Sequence, residues 1–526
     1  DLLSAIFSLV SCYNFSSMKV ILPQAVQQVY HTLLRGGFEV YFVGGCVRDL
    51  LLERPVKDWD MTTNAQPDEM LKLFPDAFYD NQFGTVGVLI SAIIPSETEA
   101  SHAEDGEQGE KDSSTTLHSA QNDKLIVEIT TYRTERDYKD GRHPTEVVWG
   151  KTIQEDLERR DFTMNAIAMK LEESNDKNTS VILVSETHPE SQDASSSEAA
   201  SIHATLVDPY NGRKDIADNI IRAVGNPNER FKEDGLRLMR AIRFATQLQF
   251  TIEENTWKAI LEDAKLLPMI SGERIRDELL KMLGSDYPYE GIMLLKNAGL
   301  LQYILPELLE GIGVSQERPG RHHTTDVFTH NVMALKLTPA TDPIVRLATL
   351  IHDAGKPRVQ GTDTEGFVIF YNHEIMGAQM AYEIANRLHL SKKDRKKIVT
   401  LIRWHMFTVD EHITDSAVRR FIRRIGVENV NDMIDLRIGD RLGSGTQTAE
   451  SWRLKLFKDR IEKELAPGPF SINDLAIDGN DIMQELNIPP SRKIGELLQK
   501  LFEEVDENLE LNTRDYLLKR VKELAI

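Results

Sequence analysis

Two aspartates separated by one residue, Asp58 and Asp60, are the first side chains in this chain whose spacing favours metal chemistry. Residues two apart on a β-strand point to the same side, so both carboxylates would face one site. Paired carboxylate oxygens suit Mg²⁺, and two such ions can activate an attacking hydroxyl and stabilise a departing pyrophosphate. A third acid, Glu128, lies in an apolar stretch where an unpaired buried charge would be costly. The three acids together favour a catalytic metal site over a solvated Asp-x-Asp turn.

A pair of glycines, Gly44 and Gly45, follows an apolar stretch and precedes a predicted helix. A strand, a glycine turn and a helix N-terminus form a cradle for phosphate, to which Arg48 adds positive charge. Farther along, Arg160 is suited to phosphate and Asp161 to a ribose hydroxyl. The structural alternatives are an ordinary glycine turn and a helix-end ion pair, which contributes little.

A third group repeats every three residues: Asp234, Arg237, Arg240 and Arg243. This spacing predicts one polar stripe along a helix whose other face is apolar. An aspartate and an arginine one turn apart can present an acceptor and a planar donor fork to the edge of a base. The remaining arginines would then hold phosphates.

A second constellation of metal-binding residue types lies between residues 330 and 440. Its members are His330, His352, Asp353, His373, His405 and Asp440. A lone histidine is more often a packed core residue. A set of His and Asp residues of this size, most of them in predicted helices, favours instead a divalent-metal site that lowers the pKa of bound water.

The elements that must position these residues fall into two parts. Up to about residue 210, strand patterns predict an α/β region interrupted by two acidic, Ser-rich inserts, 91–123 and 171–205, each flanked by strands and read as a solvated hairpin loop. From about residue 229, helical periodicity predominates to the end.

Composition narrows the class of protein. The chain has 526 residues, 41% of them hydrophobic and 28% charged, which is typical of a globular protein of several domains. Its formal net charge of −21 argues against a nucleic-acid partner at first sight, but the two inserts carry 13 of those charges. Two cysteines and no apolar run long enough for a bilayer predict a cytoplasmic protein without a membrane partner. Residues 1–17 are read as an extension upstream of a natural start at Met18.

Six segments, taken in order, resemble the class II CCA-adding tRNA nucleotidyltransferase and bacterial poly(A) polymerase family. They are VGGCVRDLLLERPVKDWDMTT, VEITTYRTE, RRDFTMNAIAM, LVDPYNG, EDGLRLMRAIRF and SGERIRDELLKML. The resemblance implies an α+β fold: a polymerase-β-like nucleotidyltransferase head (18–210), then an all-helical neck (211–315), an HD domain (316–445) and a tail (446–526) that would hold tRNA. It also implies Mg²⁺ on Asp58 and Asp60, with Glu128 as the third catalytic acid. The nucleotide-binding residues it implies are Gly44, Gly45, Arg48, Arg160, Asp161, Asn165, Asp234, Arg237, Arg240 and Arg243.

The second constellation is similar to the HD phosphohydrolase superfamily, whose minimal ligand set would be His330, His352, Asp353 and Asp440. His373 and His405 would assist, and imidazole ligands favour Mn²⁺, Ni²⁺ or Co²⁺. The leading hypothesis is addition of CCA to tRNA 3′ ends from CTP and ATP. The alternatives are CC-only or A-only addition, poly(A) synthesis, and an HD phosphohydrolase as the main activity; the oligomeric state stays open.

Overall fold

The structure is a computed structural model. It describes residues 18–20, 22–79, 85–91, 124–138, 144–173, 181–183, 202–317, 325–407, 413–446, 448–449, 451–465 and 471–525. The chain divides into two compact units, which we call the N-terminal unit, Asp1–Ile270, and the C-terminal unit, Ser271–Ile526. The division falls inside the segment predicted as the neck.

The N-terminal unit is built on a mixed seven-stranded sheet. The strands of the whole unit are β1 Met18–Val20, β2 Val40–Val43, β3 Trp59–Thr63, β4 Ala77–Tyr79, β5 Thr85–Ser91, β6 Lys124–Thr131, β7 Arg133–Tyr138, β8 Pro144–Trp149, β9 Ala168–Glu173, β10 Val181–Leu183, β11 Ile202–Val207, β12 Ile220–Ile221 and β13 Thr251–Ile252. The order across the main sheet is β11-β9-β2-β3-β6-β5-β4, while β1–β10, β7–β8 and β12–β13 form separate pairs. Strands β3 and β6 are parallel, and the other neighbours in the main sheet are antiparallel.

The helices of this unit are α1 Gln24–Arg35, α2 Gly45–Leu51, α3 Pro67–Leu73, α4 Ile153–Glu158, α5 Gly212–Ala217, α6 Pro227–Glu233, α7 Leu236–Leu248 and α8 Glu254–Asp263. One face of the sheet is the core: Trp59 and Met61 of β3 and Val127 and Ile129 of β6 are buried. Because strand residues alternate between faces, Asp60 and Glu128 lie on the opposite, open face.

The strands around the inserts confirm one prediction and correct another. Strands β5 and β6 pair antiparallel from Thr85↔Thr130 to Ser91↔Lys124, which is the predicted hairpin; most of the first insert lies outside the described residues. The second insert is not a simple loop. It contains β10, which pairs in parallel with β1, and the ends of β9 and β11, which pair with each other. Its strongly polar composition concealed the short apolar run of β10, which a strand partner far away in sequence stabilises.

The C-terminal unit is mostly helical, as predicted. Its helices are α9 Gly272–Leu283, α10 Pro288–Asn297, α11 Leu301–Ile304, α12 Pro306–Leu309, α13 Val327–Leu337, α14 Pro343–Ile351, α15 His373–Arg387, α16 Lys392–Trp404, α17 Asp415–Ile425, α18 Val430–Gly443, α19 Trp452–Leu465, α20 Gly479–Leu486, α21 Arg492–Glu507 and α22 Arg514–Ala525. A short hairpin, β14 Gly361–Thr362 with β15 Val368–Ile369, interrupts them. The last three helices share a hydrophobic core that includes Ile482, Leu501 and Val521.

Among the described helices, none combines the length and the apolarity needed to cross a lipid bilayer.

Candidate active sites

The acidic site of the N-terminal unit lies on the open face of the sheet. Asp60 of β3 stands directly opposite Glu128 of β6 in the parallel register, so the two carboxylates are cross-strand neighbours. Burial and the negative charge of Glu128 raise the pKa of Asp60 to about 6, with a smaller contribution from Asp58. A divalent cation would relieve the repulsion that raises the pKa of Asp60, so the donor set fits a hard metal ion.

Two details of this site differ from the sequence-based expectation. Strand β3 begins at Trp59, so Asp58 precedes the strand and is exposed, although its charge still acts on Asp60. Glu128 is also exposed, because its strand alternates between buried and open positions. The argument that Glu128 is a costly buried acid was therefore wrong, although the structure does bring it to Asp60.

The predicted phosphate cradle lies beside these acids. Helix α2 begins at Gly45, and Gly44 has a φ of +72°, a conformation that favours glycine. A Cβ on Gly44 would lie 2.9 Å from Nη1 of Arg160 and 3.7 Å from Oδ2 of Asp60. The structure therefore brings Gly44, Arg160 and Asp60 together. The thiol of neighbouring Cys46 is fully buried, which raises its pKa to about 12 and makes it inert.

A chain of hydrogen bonds connects the cradle to helix α7. Arg48 donates from Nη1 to Oδ1 of Asn165 over 3.0 Å, and Asn165 donates from Nδ2 to Oδ1 of Asp161, also over 3.0 Å. Arg240 donates from Nε to Oδ2 of Asp161 over 2.7 Å. Burial opposes the charge of Asp161, but Arg240 and Asn165 outweigh it and lower its pKa to about 2. Both oxygens of Asp161 already accept hydrogen bonds within the protein.

The predicted polar stripe of helix α7 is largely buried and lacks its first member. Asp234 precedes the helix in an extended conformation, and Arg237 and Arg243 are buried. Arg237 donates to the carbonyl oxygens of Arg230 and Arg159 and pairs with Glu233 at 2.5 Å. The spacing of three residues was correct, but the helix packs on both sides, so most of the stripe is enclosed.

Phe244 is a member of this site that the sequence argument did not single out. The guanidinium groups of Arg48, Arg240 and Arg243 lie 5.2, 5.3 and 4.1 Å from its ring centroid. Three cations around one ring are held in place by its negative face. The signal in the sequence was an aromatic residue directly after the last arginine.

In the C-terminal unit, helices converge on one carboxylate. Nε2 of His330 and of His352 lie 3.3 and 3.4 Å from Oδ2 of Asp353. Nε2 of His373 and of His405 lie 3.3 and 3.6 Å from the other oxygen, Oδ1. Two groups, His330–His352–Asp353 and Asp353–His373–His405, therefore share Asp353, and each could hold a metal ion. All six residues of the predicted constellation are involved, because Oδ1 of Asp440 lies 3.3 Å from Nε2 of His330.

The imidazoles are oriented for metal binding. Nδ1 of His352, His373 and His405 hydrogen-bonds a backbone carbonyl oxygen at 2.8, 2.8 and 2.7 Å, which leaves Nε2 directed at the carboxylates. Burial disfavours the charged form of His352, but Asp353 and Asp440 outweigh it and raise its pKa to about 10. A divalent cation would supply that positive charge in place of the proton.

Lys356 was missed by the sequence argument, although it lies one helical turn after Asp353. Its Nζ is 2.5 Å from Oδ2 of Asp353 and donates to Oε1 of Gln316, also over 2.5 Å. The cluster opens into a cavity of about 690 Å³ whose lining also includes Arg437, Arg441 and Tyr371. A cavity with cations around a carboxylate–imidazole cluster suits a phosphorylated ligand.

A sheet that bears carboxylates beside a glycine-led helix, followed by arginine-bearing helices, defines the nucleotidyltransferase class, and the second cluster defines an HD domain. Family comparisons agree. The Poly A polymerase head domain matches residues 40–123 and 94–182, the HD domain matches 327–437, and the probable RNA and SrmB- binding site of polymerase A matches 249–311.

Individual proteins of similar sequence identify the family. An A-adding tRNA nucleotidyltransferase of Deinococcus radiodurans is 35% identical over 364 residues, which cover 67% of this chain and 75% of that protein. A CCA-adding enzyme of Geobacillus sp. (strain WCH70) is 38% identical over 277 residues, 52% of this chain and 53% of that protein. The chain spans about half the length of this and the similar CCA-adding relatives it matches. The chain belongs to the class II tRNA nucleotidyltransferase and poly(A) polymerase family.

A solved structure has a similar fold. The crystal structure of the Bacillus stearothermophilus CCA-adding enzyme in complex with CTP aligns with a TM-score of 0.62 at 24% identity, covering 95% of this chain and 97% of that one.

Proposed function

We propose that this protein adds CMP and AMP residues from CTP and ATP to the 3′ end of tRNA, completing CCA. The observation that carries the proposal is that Asp60, beside Glu128 in the strand register, lies next to Gly44 and Arg160. Carboxylates there require a cation, and the glycine turn beside them suits a triphosphate. Family membership supports a tRNA substrate.

The chain's own groups divide the work. Asp58, Asp60 and Glu128 would hold Mg²⁺, which when bound lowers the pKa of the attacking 3′-hydroxyl and neutralises the departing pyrophosphate. Arg48 and Arg160 bind the triphosphate, and the backbone N–H groups at the start of α2 donate hydrogen bonds to its oxygens. The 3′ oxygen then attacks the α-phosphorus and the bond to pyrophosphate breaks.

Base selection is assigned to Asp234 and Arg237. Arg240 and Arg243, which the ring of Phe244 holds in place, would position the nucleotide. In the structure, the terminal nitrogens of Arg237 contact Glu233 and two backbone carbonyls. Reading a base therefore requires Arg237 to exchange one of these contacts for the base edge.

The direct test is incubation of the protein with tRNA lacking its 3′ CCA, separately with CTP, with ATP and with both. Addition of two C residues with CTP and of CCA with both supports the proposal. Addition of a single A to tRNA ending in CC would make it an A-adding enzyme, and long A tails on unrelated RNA a poly(A) polymerase. Asp58→Ala and Asp60→Ala should abolish incorporation while tRNA binding persists; Asp76→Ala, an exposed acid of the same unit, is the control.

A second activity is favoured by one observation, the sharing of Asp353 between two histidine pairs at the base of a cavity. We propose that the HD domain binds Mn²⁺, Ni²⁺ or Co²⁺ and hydrolyses phosphoesters. Asp353→Ala should remove bound metal and phosphodiesterase activity from the full-length protein and leave nucleotide addition unchanged. Absence of both metal and hydrolysis in the unaltered protein, with all four cations including Mg²⁺, would refute it.

A further inference from the structure

A single row of residues crosses the open face of the sheet from the acidic site to its edge. The register places Asp60 of β3 opposite Glu128 of β6, Glu128 opposite Gly87 of β5, and Gly87 opposite Phe78 of β4. Directly opposed residues on neighbouring strands point to the same side of a sheet. Phe78 therefore shares a face with the carboxylates that the proposed function assigns to catalysis.

The ring of Phe78 reaches across the gap that Gly87 leaves. A Cβ built on Gly87 would lie 2.5 Å from Cζ and 2.8 Å from Cε1 of Phe78, so the tip of the ring covers the Gly87 backbone. Glu128 is the next residue in the row, about 5 Å farther at the usual spacing of strands. Despite this contact the side chain is 40% exposed. An aromatic ring is thus held open to solvent beside the catalytic acids.

The strand order decides which substrate lies on this side. The Gly44–Gly45 turn follows β2, on one side of β3, while β6, β5 and β4 lie on the other. The triphosphate is therefore expected on the β2 side of the acids. The 3′-hydroxyl of the RNA must reach the same metals, so we expect the RNA on the other side, over β5 and β4.

The surroundings of Phe78 fit a nucleotide base. Leu89 and Ile126 face each other across β5 and β6 two residues along from the row, and they are 38% and 46% exposed. Stacking on an aromatic ring tolerates every base, because each base has a π-face. An enzyme that extends its own product must accept successive 3′ ends with different bases, so a contact of this kind suits it. We propose that Phe78 is the stacking platform for the base of the 3′-terminal nucleotide of the RNA, an inference that rests on the proposed function.

The test places 2-aminopurine at the 3′ end of a tRNA that lacks CCA and measures its fluorescence upon binding, with no nucleotide present. Stacking on Phe78 should quench the fluorescence, Phe78→Ala should lose that quenching, and Phe78→Trp should keep it. Phe78→Ala should also raise KM for the RNA about tenfold, since aromatic–base stacking contributes that much, and leave KM for CTP unchanged. Tyr79→Ala removes an equally exposed neighbouring ring whose register partner is the buried Val86, and should behave as the unaltered protein.

Gly87→Ala provides a second variant that keeps the ring but displaces it, and should resemble Phe78→Ala in KM for the RNA. Unaltered quenching and KM in Phe78→Ala would overturn the platform. That result is distinguishable from failure of the proposed function, in which the unaltered protein would extend the RNA with neither CTP nor ATP.

Discussion

Lowering the pH from 7 to 5 should weaken the binding of Mn²⁺ to the acidic site of the N-terminal unit about tenfold, because a proton competes with the metal at Asp60. Burial and the charge of Glu128 raise the pKa of Asp60 from 3.8 to about 6. Between pH 3.8 and pH 6, therefore, the carboxyl group of Asp60 is mostly protonated in the metal-free protein, and the metal must displace that proton. With a pKa of 6 the protonated form is about one tenth of the ionised form at pH 7 and about ten times it at pH 5, which gives the factor.

The measurement is the concentration of free Mn²⁺ by electron paramagnetic resonance, without nucleotide. Asp353→Ala serves as the background, since it removes the carboxylate that both histidine groups of the HD domain share. An acid with the ordinary pKa of 3.8 would change the affinity by only about one twentieth over the same range. A dissociation constant that is the same at pH 5 and pH 7 would therefore refute the crowding of carboxylates at Asp60.

Three further outcomes are expected. Arg237→Ala should weaken the preference for CTP over GTP by about 1–3 kcal/mol, and it should also lower the free energy of unfolding, because Arg237 holds two backbone carbonyls; an unchanged preference would contradict the role in base selection. Arg419→Ala should lower the free energy of unfolding in urea by about 1–3 kcal/mol, since Arg419 is buried against Asp506 at 2.7 Å while Arg423 remains paired with the same carboxylate, whereas the exposed Arg420→Ala should cost about 0.5 kcal/mol or less. Excision of 95–121 should keep nucleotide addition within a few-fold, but excision of 175–202 removes the strand Val181–Leu183 and should lower the melting temperature; equal melting temperatures for the two deletions would contradict the β1–β10 pairing.

The family resemblance depends on motifs that occur in a fixed order, and these motifs can be recognised from the sequence alone. Residue types and short spacings predicted that Gly44, Gly45 and Arg48 would stand at a helix start, and helix α2 begins at Gly45. The same holds for the histidine cluster, because His352 and Asp353 are adjacent and the remaining ligands recur at helical positions. Local chemistry of this kind is set by neighbours along the chain, so it needs no knowledge of the tertiary structure.

Only the tertiary structure determined which side chains of the candidate site are buried and which residues they contact. Asp234 and Arg237 are one turn apart in sequence, but Asp234 is extended and precedes α7, and Arg237 donates a hydrogen bond to the backbone carbonyl of Arg159. Glu128 reaches Asp60 through the register of two strands distant along the chain, and Phe78 reaches Gly87 in the same way. Strand β10 exists because β1, more than a hundred residues earlier, pairs with it. The sequence by itself determined which groups this protein can use; strand register and helix packing determined which of them meet, because contacts between distant segments depend on how the whole chain folds.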